Sequence, residues 1–258
     1  MNPHTILLTM AMLAVSDAAQ ATLIDRGGGL IYDDQLNVTW LQDANYAKTT
    51  NYDADGKMTW SKAMTWADNL SYYDSVRNVT WDDWRLPSVV DTGTAGCNIA
   101  YSGTDCGWNV QTETGSTVYS ELAYMYYVNL GLLADHDISG NSQANFGIFG
   151  NGTSNGTDSI SIGQNDVGLI HHLQAFVYWS GTEYAPNTDF AWFFNFRVGN
   201  QGASTKDDGV FAWAVRSGDV AAASNGTVPE PQTLALLGLG LAGLVLARRR
   251  GNLRVRAL

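Results

Sequence analysis

Oxygen-bearing side chains fall at alternate positions in Asn51-Tyr52-Asp53-Ala54-Asp55-Gly56-Lys57-Met58. That spacing is the first half of a calcium loop. Positions one, three and five supply side-chain oxygens, position seven a carbonyl, and Gly at position six the sharp turn. The expected calcium ligands are Asn51, Asp53, Asp55 and the carbonyl of Lys57. The twelfth position, which needs a bidentate Glu, is Lys62. A carboxylate from elsewhere must then complete a shell of about 6–8 oxygens. The same residues also describe a plain Asp-Gly turn ahead of a helix. Calcium is the only cofactor this sequence suggests.

Trp81-Asp82-Asp83-Trp84-Arg85 offers a second chemistry. A Trp ring can cover the apolar face of a sugar while carboxylates take its hydroxyls, so Trp81, Asp82 and Asp83 are a candidate ligand surface. The alternative is structural, with Trp84 in the core and Arg85 paired to a carboxylate. Asp135-His136-Asp137 could bind a metal or supply a base, or be a solvated turn. His171 and His172 are adjacent, and adjacent strand residues point to opposite faces, so the pair is poorly placed to share one ion.

Cys97 and Cys106 are the only cysteines. They suit a local disulfide if the chain is exported, and two cysteines are too few for a zinc site. Two enzyme motifs match by letter and fail on context. Gly238, Gly240 and Gly243 spell a dinucleotide fingerprint inside an apolar tail, with no strand before it. Gly152-Thr153-Ser154-Asn155-Gly156 spells a nucleophile elbow inside a Gly-, Asn- and Ser-rich stretch. No catalytic residue is assigned.

The chain has 258 residues, long enough to bury a sizeable core, and its 9 Trp, 12 Tyr and 8 Phe supply the material. Net charge is -11, and five of the 14 Lys and Arg lie after residue 247, so the central region is more acidic still. Such a surface repels phosphate backbones and excludes nucleic acid as a partner.

Both ends read as targeting segments. Ile6 to Val15 is apolar, and Ala19-Gln20-Ala21 is a small-x-small cleavage pattern, which sets a signal peptide at 1–21 cut after Ala21. The residues before it hold no Lys or Arg. At the other end Val228-Pro229-Glu230-Pro231 precedes an apolar run, Leu234 to Ala247, and three arginines. The run is short for a spanning helix of about 17 or more residues, and snorkelling arginines would extend it. The arginines would stay cytoplasmic, leaving residues 22 to 228 outside. Pro229-Glu230-Pro231, the apolar helix and the Arg cluster resemble the PEP-CTERM sorting signal of Gram-negative bacteria. The resemblance implies a membrane enzyme that processes the tail, and an envelope or matrix destination.

The elements that must position these residues come next. Thr59 caps an expected helix from Trp60 to about Tyr72, with Trp60, Ala63, Met64, Ala67 and Leu70 on one face. A second helix is expected from Val118 to Leu130. Leu30–Asp33 and Val38–Leu41 read as a hairpin, and Ala175–Trp179, Phe190–Val198 and Val210–Arg216 as further strands. Residues 139 to 168 read as a long surface loop. The chain reads as free of internal repeats. The expected fold is α+β: an antiparallel sheet with two packed helices, long surface loops and a C-terminal apolar helix.

A wider resemblance follows from the order of several strings. These are Gly29-Leu30-Ile31-Tyr32-Asp33, Val38-Thr39-Trp40-Leu41-Gln42-Asp43-Ala44, Asp83-Trp84-Arg85-Leu86-Pro87, Tyr178-Trp179-Ser180-Gly181-Thr182-Glu183-Tyr184 and Phe211-Ala212-Trp213-Ala214-Val215-Arg216. Together they resemble the Lcl C-terminal domain family. That resemblance implies a C-type-lectin-like fold over residues 22–220, followed by a spacer at 221–228 and the sorting segment at 229–258. The functional expectation is a non-catalytic binding or structural module at the envelope, with extracellular polysaccharide as a candidate ligand. The alternative is a hydrolase working through paired carboxylates.

Overall fold

The computed structural model describes residues 23–93, 100–101, 105–114, 117–144, 146–147 and 166–223. Ala21, Cys97, residues 148–165 and Pro229-Glu230-Pro231 lie outside the described residues. The chain divides into two units, Met1–Ala221 and Ala222–Leu258. The elements described here belong to the first.

In chain order the first strands are β1 (Leu23–Gly27), β2 (Leu30–Asp33) and β3 (Val38–Leu41). A short helix α1 (Tyr46–Thr49) leads to β4 (Lys57–Met58) and helix α2 (Trp60–Asp68). Then come β5 (Tyr72–Asp74), β6 (Val79–Trp81), β7 (Gly107–Trp108), β8 (Glu113–Thr114) and β9 (Thr117–Val118). Helix α3 (Glu121–Tyr124) runs directly into a π-helical turn at Met125–Asn129. The last strands are β10 (Asp166–Val167), β11 (Ile170–His171), β12 (Val177–Glu183), β13 (Phe190–Asn195), β14 (Asn200–Thr205), β15 (Val210–Phe211) and β16 (Val215–Ser217). The fold is α+β and rich in sheet.

Two main sheets replace the single one expected. One has the order β1-β2-β3-β16 and is antiparallel throughout. The other has the order β4-β15-β12-β13-β14-β7, with β12 and β15 parallel. The expected strand Val210–Arg216 is divided between them. Every residue from 210 to 216 is buried, so no alternation marks where the chain leaves one sheet for the other. Trp213 sits at that crossing, fully buried. Its indole N–H donates to the Leu41 carbonyl at 2.6 Å, and its ring lies 4.7 Å from Trp40. Leu30, Ile31 and Trp40 of one sheet and Tyr178, Trp179 and Phe194 of the other belong to the same core.

The expected helices form with shorter bounds, the first ending early and the second starting late. Helix α2 begins after Thr59 and stops at Asp68, because Tyr72 is taken into the β5–β6 pair. Ala63, Trp66 and Ala67 are its buried residues. Helix α3 starts at Glu121, capped by the Ser120 hydroxyl, which accepts from the Ala123 N–H at 3.1 Å. Val118, the expected start, is in β9. The Leu130 N–H reaches back to the Met125 carbonyl at 2.9 Å, an i→i+5 bond that widens the last turn.

One feature corrects the reading of the chain as free of repeats. Tyr32-Asp33, then three residues, then Asn37-Val38-Thr39-Trp40 recurs as Tyr73-Asp74, three residues, and Asn78-Val79-Thr80-Trp81. Both strings fold as the same hairpin. The Asp carboxylate accepts two backbone N–H groups, from Gln35 and Leu36 in one and from Val76 and Arg77 in the other. The Asn is left-handed, with φ 52° at Asn37 and 54° at Asn78, a conformation Asn tolerates. The Tyr hydroxyl donates to the Asn side chain at 2.9 Å in one and 2.7 Å in the other.

The two aspartates differ in what else they meet. Asp33 is buried without a cation, and burial pushes its carboxyl up, against hydrogen bonds from Leu36, Asn129 and Gln35. Asp74 is equally buried, but Arg77 pairs with it at 2.7 Å. Burial is outweighed there, and hydrogen bonds led by Arg77 hold the carboxyl below its usual range. A raised carboxyl binds its proton more tightly in the folded state, so its share of stability falls as pH rises from the ordinary carboxylate range through the folded value. A lowered one contributes above the ordinary range and loses that share as pH falls. Asp33→Asn is therefore expected to gain stability relative to the parent between about pH 4 and pH 7. The substituted amide can still accept from the turn, and with the Asn129 amide flipped it can donate to Asn129 Oδ1, which has no partner among the described residues. Asp74→Asn is expected to lose about 1–3 kcal/mol near neutral pH, with the loss fading on acidification. Urea midpoints of both variants across that range check the opposite signs.

Candidate binding site

The 51–58 loop is a turn held by its own acids. Asp53 Oδ1 accepts the N–H groups of Asp55 and Gly56 at 3.2 and 3.0 Å, and Oδ2 pairs with Lys62. Burial opposes ionisation of Asp53, but Lys62 and those backbone donors keep its carboxyl below the ordinary range. Asp55 Oδ1 accepts the Lys57 N–H at 3.0 Å. Asn51 is left-handed at φ 57°, and its N–H bonds the Lys48 carbonyl as α1 ends. The Lys57 ammonium lies over Phe176 at 4.8 Å. Lys62, the residue in the twelfth position, thus brings a cation to Asp53. Among the described residues no three His, Cys, Asp or Glu are grouped to hold a metal ion.

Trp81, Asp82 and Asp83 are brought together only in part. The guanidinium of Arg216 lies 4.1 Å over the Trp81 ring and forks onto the Asp83 carboxylate at 2.6 and 2.8 Å. That face of Trp81 is already covered, while Asp82 is exposed beside it. Trp84 is in the core and Arg85 forks onto Glu121, both bonds at 2.7 Å, as the structural alternative required. Cys106 is buried and is not free, and its expected partner Cys97 lies outside the described residues. His136 lies 2.8 Å from the Asp135 carboxylate and packs against Trp108 and Tyr101.

A cavity of about 210 Å³ opens elsewhere, lined by Gln42, Asp43, Tyr46, Tyr72, His171 and His172. Its floor is built by continuing β3 beyond Leu41. The Ala44 N–H bonds the His171 carbonyl at 2.9 Å, and the His171 N–H bonds the Gln42 carbonyl at 2.8 Å. This bridge brings Asp43 beside β11. His172 then turns left-handed, at φ 53°. Strand alternation stops there, and both histidines line the one cavity.

Asp43 is fixed before any ligand arrives. Oδ1 accepts the Asn45 N–H at 2.9 Å, and Oδ2 accepts the Thr49 hydroxyl at 2.6 Å. His172 Nδ1 lies 3.0 Å from the same Oδ2. That contact orients the His172 ring against the Asp43 carboxylate. Gln42 donates its amide to the Leu169 carbonyl at 3.0 Å, which leaves its oxygen as an acceptor. Burial pushes the Tyr72 phenol up to about 12, so it stays neutral. Its hydroxyl donates to the Gly28 carbonyl at 2.6 Å. Tyr46 and Tyr72 lie 5.4 Å apart, tilted by 57°. The cavity is therefore polar and acceptor-rich, with two phenol rings as walls. None of its side chains but the histidines was singled out from sequence, because Asp43 and His172 meet only through the tertiary bridge.

A PEP-CTERM protein-sorting motif matches residues 227–250, from Thr227 to Arg250. The chain is thus an exported protein sorted to the cell surface, with a tail processed by a membrane sorting enzyme of the exosortase kind. No curated protein and no solved structure matches it. The resemblance to the Lcl C-terminal domain finds no support in these comparisons, and neither does a C-type-lectin-like fold. Among the described residues no helix is long and apolar enough to cross a membrane. The apolar run Leu234 to Ala247 lies outside them.

Proposed function

We propose that the exported region is a non-catalytic binding module that holds extracellular polysaccharide in the Asp43–His172 cavity. The observation that carries this reading is the cavity itself. Fixed acceptors on Asp43 and Gln42, with His172 held beside Asp43, face a space walled by Tyr46 and Tyr72. Sugar hydroxyls donate to such acceptors, and phenol rings cover the apolar face of a pyranose. The strongly acidic chain disfavours polyanions, so a neutral glycan is the better ligand. Among the described residues Asp43 is the sole carboxylate lining the cavity, which favours binding over hydrolysis by two facing acids. Export also places Cys97 and Cys106 in an oxidising compartment, where a bridge between them closes the loop they flank.

A glycan array probed with the full-length chain in detergent tests the reading. Neutral glycans are expected to bind, and Tyr46→Ala is expected to weaken them about tenfold or more, since stacking on an aromatic ring is worth roughly 1–3 kcal/mol. The outcome against it is binding that Tyr46→Ala leaves unchanged, or none at all. Binding is expected to be equal in calcium and in chelator, because Lys62 neutralises Asp53. Calcium dependence abolished by Asp53→Ala would restore Asn51, Asp53, Asp55 and Lys57 as a metal site.

A further inference from the structure

Tyr46 walls a second cavity as well. This one measures about 240 Å³, and Thr50, Tyr52, Trp66 and Asn69 also line it. We propose that the two cavities are consecutive subsites of one groove, and that the ligand is a linear neutral polysaccharide gripped through at least two successive sugar units. This inference rests on the reading of the first cavity as a sugar site.

Size is the first argument. Each cavity falls below the roughly 300–1,000 Å³ of an ordinary ligand site, and the two together fall within it. Each on its own suits about one ring. Chemistry is the second. Among the described residues the second cavity has no charged side chain in its lining. Its polar groups include the Thr50 and Ser71 hydroxyls, the Tyr46 and Tyr52 phenols and the Asn69 amide. The Thr50 hydroxyl donates to the Tyr46 carbonyl at 2.9 Å, and the Asn69 amide donates to the Thr65 carbonyl at 2.9 Å. Both oxygens are left as acceptors, as in the first cavity. Tyr52, 45% exposed, supplies aromatic surface. Acceptors beside rings therefore repeat on either side of Tyr46. A uronic acid chain would bring its carboxylates to a groove with Asp43 at one end and, among the described residues, no Lys or Arg in its lining.

One short stretch of chain ties the two halves together. Tyr46 opens α1, Thr50 caps it, and Asp43 binds the N–H that precedes it, so a few residues serve both cavities. Joining two weak contacts through one ligand makes the second contact intramolecular, and the gain appears as chain-length dependence.

The test is tryptophan-fluorescence titration of the full-length chain with glucose, cellobiose, cellotriose and cellotetraose. The dissociation constant is expected to fall by about tenfold or more from glucose to the two- or three-unit sugars and then to level off. Tyr52→Ala and Asn69→Ala, both at exposed positions, are expected to remove most of that gain and to leave glucose binding within about twofold. Tyr46→Ala is expected to weaken every length. Glucose bound as tightly as cellotriose overturns the groove and leaves the first site standing. So does a length gain that survives both second-cavity substitutions. No binding at any length overturns the groove and the sugar site together.

Discussion

Trp213→Ala is expected to destabilise the domain by about 3–5 kcal/mol, the cost of removing a large aromatic from a packed core. That is a large share of the roughly 5–15 kcal/mol that holds a domain folded. The location makes the upper end of the range the expected one. Trp213 lies between β15 and β16, where the chain passes from one sheet to the other, and its ring is fully buried against Trp40. Truncation leaves a cavity at the seam and strands the Leu41 carbonyl, which now accepts the indole N–H. Trp213→Phe keeps much of the volume and loses the hydrogen bond, so it is expected to cost about 1–3 kcal/mol. Urea unfolding followed by circular dichroism separates the two variants. Equal, small losses would mean that the seam is not where the two sheets are held.

Glu121→Ala is expected to cost about 2–3 kcal/mol. Glu121 is 6% exposed and accepts three hydrogen bonds, two from Arg85 and one from the Ser88 N–H, all at 2.7 Å. Removing one partner of a buried pair leaves the other charge uncompensated, at about 3–5 kcal/mol in a closed interior. The Arg85 side chain is 38% exposed, so water relieves part of that loss and the lower figure applies. Glu121→Gln keeps an acceptor for Ser88 and weakens only the charged fork, so a smaller loss is expected. The pair joins the segment after β6 to the first turn of α3. Hydrogen exchange should therefore rise in both places in Glu121→Ala. Exchange that rises at one place alone would mean that the pair does not couple them.

Much of the fold was legible because local signals agreed with it. The spacing of Trp60, Ala63, Met64 and Ala67 marks α2, since a helix shows one face to the core. The Asp33 and Asn37 turn chemistry marks the β2–β3 hairpin. Its twin at Asp74 and Asn78 was equally legible and went unseen, although the shared Asn-Val-Thr-Trp spells it out. Val210–Arg216 misled because burial on both faces hides a change of sheet. Trp81 and Asp83 misled for a different reason. Aromatic and acidic neighbours look like a ligand surface until a distant cation, here Arg216, is known to sit on them. The cavity was illegible because the Asp43–His172 contact joins residues about half the chain apart. The left-handed angle that turns His172 inward has no Gly or Asn to announce it.

The central claim is that the sorting tail displays a module whose Tyr46 cavity binds glycan. Labelled cellotriose bound to intact cells tests it most directly, with three chains compared: the full chain, Tyr46→Ala, and a chain stopped at residue 226, before the sorting motif. Cells carrying the full chain are expected to hold the label. Cells carrying Tyr46→Ala are expected to display the protein and hold none. The chain stopped at 226 is expected to leave the cells bare and carry its binding into the medium. Cells that hold as much label with the stopped chain or with Tyr46→Ala as with the full chain would contradict the account.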